Sequence, residues 1–140
     1  MAPKNNTKIT PVVVAPVIEV TQMNFSHPNV PVSPRKLRLI IDVIRPLTPL
    51  VAIDKLKFTN SSAARYLHKF IKNAVATAKN NYQFTPESLA FKSIAANDGL
   101  KIKRMDKSHG SRFARGVKVK RHSRLNLVLS GKIASPSTEK

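Results

Sequence analysis

Residues 101–124 read KIKRMDKSHGSRFARGVKVKRHSR, and their ten Lys and Arg against the single acid Asp106 carry +9 of the chain's +18. The chemistry these side chains offer is neutralisation of a polyanion. Arg can grip a phosphate with two parallel hydrogen bonds and stack on a base, whereas Lys acts as a point charge. Lys101, Lys103, Arg104, Lys107, Arg112, Arg115, Lys118, Lys120, Arg121 and Arg124 form the set. So few apolar residues lie among them that the stretch cannot fold by burying itself, and its charges repel one another when alone. A charge run is usually a solvated face. Ten cations in an alternating ribbon, on a chain already strongly basic, point instead to nucleic acid. Arg35, Lys36, Arg38 and Arg45 form a second group that would face the same kind of partner, although any amphipathic helix has a polar side.

Other chemistries have little support. Asp106, Ser108 and His109 are a triad in composition only, because they lie within four residues with no third element to orient a base or build an oxyanion hole. His27, His68, His109 and His122 are too scattered for a metal-ligand set, and no Cys joins them. No Gly-rich phosphate loop occurs. The expectation is therefore no catalytic residue, no metal, no cofactor and no enzymatic activity.

The elements that must position these cations follow from periodicity. Residues 1–18, with prolines at 3, 11 and 16, read as a flexible extension, followed by a strand over 17–25 that ends near His27-Pro28. Ser33-Pro34 predicts a capped helix start, and Leu37, Ile40, Ile41 and Ile44 give it an apolar stripe until Pro46 stops it at Arg45. Thr48-Pro49 repeats the signal for a short helix to about Lys57, with Ile53 and Leu56 inward. A third helix begins at Asn60 or Ser61, buries Ala64, Leu67, Ile71, Ala74 and Ala78, and ends at Asn80-Asn81. Residues 89–97 read as a strand. In the last strand Val117, Val119, Leu125, Leu127 and Leu129 share one parity, while Lys118, Lys120, His122 and Arg124 share the other. Asn97-Asp98-Gly99 admits two readings: a tight hairpin turn, which local rules favour, or a bulge within one longer strand to about Met105.

The hydrophobic content of 41% suffices for a real core, so a wholly disordered basic protein is excluded. Without Cys there are no disulfides, which suits a reducing compartment. Arg38 and Asp42 break the longest apolar run, so no membrane insertion is expected. The first twenty residues lack the apolar core of a signal peptide and the Arg-rich pattern of a transit peptide, which makes a cytoplasmic protein the default.

Three stretches, SPRKLRLIIDVIR (33–45), LKFTNSSAARYLHKFIKNAVATAKNN (56–81) and NDGLKIKR (97–104), together resemble the large-subunit ribosomal protein twenty-two family. The first is similar to that family's opening-helix motif, NAVATAKNN to its Ala-rich third-helix ending, and the Gly99 region to its strand bend. The resemblance covers residues 20–131 in order. It implies an α+β fold, with three helices packed on a small antiparallel sheet and a long protruding basic β-hairpin. It also favours the bulge at Asn97 to Gly99 over the turn. The implied organisation is a globular domain over 19–97 plus 123–131, a hairpin arm over 98–122 and a frayed tail over 132–140. The implied partners are large-subunit rRNA, neighbouring large-subunit proteins and the nascent peptide, with no homo-oligomer. Ser108, His109, Gly110, Ser111, Arg112 and Phe113 would form the tip lining the exit tunnel of a cytoplasmic or organellar ribosome, and Phe113 would touch a base or the tunnel wall.

The chain departs from the family pattern in places. Pro46 stands where a Gly usually follows Ile-Arg, and Arg124 takes the place of a common His. The tip reads KSHGSRFARG, about two residues longer than usual by hand alignment. Gly110 and Gly116 both match the tip glycine, so residue-level correspondence fails there. Ten neutralised phosphates would give a log-log salt slope of about −7 to −9.

Two further readings rank lower. A helix-turn-helix over 48–72 with a groove-seeking ribbon would bind DNA, but the helix after Ser61 lacks base-reading residues at its start. A basic nuclease would need more carboxylates or an organised His pair.

Overall fold

The computed structural model describes residues 20–106 and 116–132. Strand β1 (Val20–Val30) leads to helices α1 (Pro34–Ile44), α2 (Pro49–Phe58) and α3 (Ser62–Tyr82); a 3-10 turn over Pro86–Ser88 precedes β2 (Ala90–Met105) and β3 (Val117–Lys132). β3 lies between β1 and β2 in an antiparallel sheet, so the last strand is the central one. The fold is α+β, as the sequence leads one to expect. No helix among the described residues is long and apolar enough to cross a membrane.

The core forms where the apolar stripes meet one face of the sheet. Leu125, Leu127 and Leu129 of β3 are fully buried against Leu37, Ile41 and Ile44 of α1 and Leu67, Ile71, Ala74 and Ala78 of α3. Each buried Leu or Ile contributes about 1.5–3 kcal/mol relative to exposure. Small residues on α3 (Ala63, Ala64, Ala74, Ala78) let it approach α1, α2 and β1 closely. In α2, Ala52 and Leu56 are buried and Ile53 is half-buried, so Ala52 joins the inward residues expected.

Several boundaries differ from expectation. β1 does not stop at His27-Pro28 but runs to Val30, because the register slips by one residue between His27 and Val30 and lets Pro28 sit in a bulge. An edge strand tolerates this, since the missing N–H need not enter the ladder. Neither Ser33 nor Thr48 makes a side-chain cap; the first turn of α1 is closed by backbone bonds from the Lys36 and Leu37 N–H groups to the Ser33 carbonyl, at 3.1 and 3.3 Å. Helix α3 passes Asn80-Asn81 and ends at Gln83, whose φ of 55° is left-handed and whose N–H donates to the Ala78 carbonyl.

The two readings of Asn97 to Gly99 resolve to the bulge. β2 continues through to Met105, and its pairing moves from Asp98↔Ser123 to Lys101↔Arg121, three steps on β2 against two on β3. Gly99 permits this approach, since a Cβ there would lie 3.0 Å from the carbonyl carbon and oxygen of His122.

Candidate nucleic-acid interface

The bulge fixes which side chains face which way. Without the extra residue, Leu100 and Ile102 would continue the core-facing side of β2; with it, Lys101 and Lys103 take that side, opposite Arg121 and Val119. Leu100 is left 62% exposed. Beyond the core, Lys101, Lys103 and Arg121 therefore share one face of the β2–β3 ladder, and Arg104, Lys118 and Lys120 share the other. The parity of β3 alone groups Lys118 and Lys120 on one face and leaves Arg121 on the other; pairing with β2 adds Lys101 and Lys103 to the Arg121 face and Arg104 to the opposite one.

The first face meets the start of α1. Arg35, Arg38, Lys101, Lys103 and Arg121 line one open cleft of about 340 Å³ together with Ser33, Pro34, Asp98 and Val119. Five cations from three elements converge there on one acid. Arg38 is the tie between them: its Nε donates to the Ala96 carbonyl at 3.0 Å, and its Nη2 lies 3.5 Å from Asp98 Oδ1. β2 is an edge strand, so some of its carbonyls have no ladder partner and are free to accept. Asp98 Oδ2 in turn lies 3.4 Å from Lys101 Nζ. These exposed pairs add little stability, and they leave Asp98 shared between Arg38 of α1 and Lys101 of β2. Asp98 escapes a sequence reading because Arg38 lies 60 positions away.

Other predicted residues fall outside the cleft. Lys36 is exposed on α1 without lining it, and Arg45, three helical turns from the start of α1, pairs with Asp42 at 3.4 Å. Lys118 Nζ sits 2.8 Å from Asp106 Oδ1, near the point where the Asp106 N–H donates to the Gly116 carbonyl at 2.9 Å. Arg124 is exposed opposite Asn97. Among the described residues Arg35, Lys36, Lys103, Arg104, Lys120, Arg121 and Arg124 have no acidic partner within ion-pair distance. Lys107, Arg112 and Arg115, and the tip residues Ser108, His109, Gly110, Ser111 and Phe113, lie outside the described residues.

His122 shares its parity with Lys118, Lys120 and Arg124 but not their exposure. It is buried, and its Nδ1–H donates to Asn29 Oδ1 at 2.6 Å, while Ser123 Oγ donates to the Val32 carbonyl. The β1 bulge brings Asn29 over the imidazole, so the last two residues before the ladder leaves the core are held by polar contacts to β1 and to the segment after it.

The arrangement offers a double-sided row of cations continuous with a basic cleft, and among the described residues no organised set of acid, base and nucleophile stands beside it. The family model described as Ribosomal protein L22p/L17e matches residues 25–130. The Large ribosomal subunit protein uL22 of Fusobacterium nucleatum is 41% identical to this chain over 73 residues, 52% of this chain and 66% of that protein. The match thus spans just under two thirds of that relative's length.

Proposed function

This chain belongs to the ribosomal protein L22p/L17e family, and from that premise we propose that it is a structural constituent of the large ribosomal subunit. It binds large-subunit rRNA through the α1 cleft and the basic β2–β3 ladder. The observation that carries this reading is the convergence of Arg35, Arg38, Lys101, Lys103 and Arg121 on one cleft, continuous with the opposite-face cations Arg104, Lys118 and Lys120. Cations on two faces suit a ribbon inserted between RNA segments, where phosphates approach from both sides. A ribbon lying on one surface would need only one charged face.

Residues 98–122 form the arm in this proposal, and 19–97 with 123–131 form the body that seats it. The tip, with Ser108, His109, Gly110, Ser111, Arg112 and Phe113, lines the nascent-peptide tunnel. Each arm strand advances about 3.4 Å per residue, so a dozen residues reach on the order of 40 Å. A two-stranded ribbon is marginal by itself in water, so the arm takes its final order on RNA. Recognition is of RNA shape and phosphate rather than of sequence. The role is structural, exercised once per large subunit, with neighbouring ribosomal proteins as further contacts.

Sucrose-gradient sedimentation of native lysate, with mass spectrometry for this chain, tests the proposal. Stoichiometric migration with the large subunit through a high-salt wash is expected. Migration with chromatin, or as free protein at the top of the gradient, would overturn it.

A further inference from the structure

Phe58 is 83% exposed, more than any other large hydrophobic residue in the described part of the chain. A single exposed apolar residue is ordinary on a protein surface. The surroundings set this one apart. It stands in an open cleft of about 400 Å³ between the end of α2 and the start of α3, with Lys57, Asn60, Arg65, His68 and Lys69 around it. Three cations and no acid line this cleft, and no acid lies in the first turn of α3. None of its residues belongs to the cleft at α1.

The backbone that carries the ring is also held in place. Thr59 N–H donates to the Leu56 carbonyl at 3.3 Å, Thr59 Oγ1 to the Lys55 carbonyl at 2.9 Å, and Ser61 N–H to the Thr59 carbonyl at 2.9 Å. The short connection between α2 and α3 is therefore tied back on itself, which fixes where Phe58 leaves the helix. Lys57 Nζ lies 6.0 Å from the ring centroid. Arg65 and Lys69, one turn apart on α3, project on the same side of that helix.

We infer that Phe58, with Lys57, Arg65 and Lys69, forms a second RNA site that stacks an unpaired base on the ring and neutralises the flanking phosphates. This rests on the rRNA-binding reading and adds to it a contact of a different kind. The arm and α1 recognise backbone charge, whereas an aromatic face beside cations is the usual platform for a single-stranded nucleotide. Charge complementarity favours a polyanion, and the uncovered ring favours one that carries flat bases.

The test uses the full chain, fluorescently labelled oligouridine, and ultraviolet cross-linking followed by mass spectrometry of the adducts. A uridine adduct on Phe58 is expected. Phe58→Leu should weaken oligouridine binding about tenfold, while Phe58→Tyr binds like the wild type. Because no cation is lost, Phe58→Leu should leave the salt slope unchanged; Arg65→Ala with Lys69→Ala should flatten it by about 1.4. Circular dichroism of each variant checks that the helices remain. Adducts confined to the arm, with Phe58→Leu binding like the wild type, would overturn the inference. So would Phe58-dependent binding of an acidic, aromatic-containing peptide more tightly than oligouridine, which would make the partner a protein. Large-subunit rRNA titrated in parallel separates the two levels. If wild type and Phe58→Leu bind it equally, only the Phe58 site fails; if wild type shows no salt-dependent binding, the rRNA reading fails with it.

Discussion

Toward the end of β3, Leu125, Leu127 and Leu129 are fully buried beneath α1 and α3, whereas Val117 and Val119, of the same parity in the same strand, are 60% and 39% exposed. β2 changes in parallel, from buried Ile94 and Ala96 to exposed Lys101 and Lys103. One pair of strands thus supplies both the core of the domain and a ladder with no core of its own. The inner half is stabilised by burial of apolar surface. The outer half has its backbone pairing and little else, and its cations raise the cost of leaving it unpaired with an anion. Stability resides in one half and, on the present proposal, function in the other. The bulge at Asp98 to Lys101 is the boundary.

The largest effects of substitution belong to the inner half. Leu127→Ala should destabilise the fold by about 2–5 kcal/mol in urea denaturation, because a fully buried Leu is lost from the sheet's central strand. A smaller effect, about 1–3 kcal/mol, is expected for Gly99→Val, whose side chain must displace the His122 backbone. That variant should also weaken rRNA binding, since it disturbs the phase that brings Lys101 and Lys103 to the α1 side.

Part of this design is legible in the sequence and part is not. Ala64, Leu67, Ile71, Ala74 and Ala78 announce the buried face of α3 because a 3.6-residue period has one dominant solution there, and all five are buried. The cations of the interface are equally visible by composition. Their grouping is not, because it depends on a one-residue slip between strands that neither strand shows alone. Asp98-Gly99 looks locally like a turn, and only the resemblance, carried by motifs elsewhere in the chain, favours the bulge. Pro28 looks like the end of β1 because its tolerance depends on the strand lying at an edge. Phe58 draws no attention in the sequence; the signal that could have found it is its place outside the inward set of Ala52 and Leu56, between Lys57 and Thr59.

Two smaller effects sharpen the boundary. Arg38→Ala should cost about 1 kcal/mol, since it releases a charged hydrogen bond to the Ala96 carbonyl. Arg35→Ala, which has no such bond, should change stability by less than about 0.5 kcal/mol while still weakening RNA binding. Thermal denaturation of both variants separates the anchoring cation from the free one. Removing Lys101, Lys103 and Arg121 together by Ala substitution should leave folding stability nearly unchanged. The same triple variant should flatten the log-log salt dependence of rRNA binding by about 2–3. A substantially destabilised triple variant would mean that the outer ladder belongs to the folding unit after all.

The most direct measurement is hydrogen exchange of the full chain, free and bound to large-subunit rRNA, followed at the amides of 101–105 and 117–121. Rapid exchange is expected there in the free protein and strong protection on rRNA, with 125–129 protected in both states. Exchange at the outer ladder that is unchanged by rRNA, with the chain demonstrably bound, would contradict the claim that this ladder is the RNA-binding element.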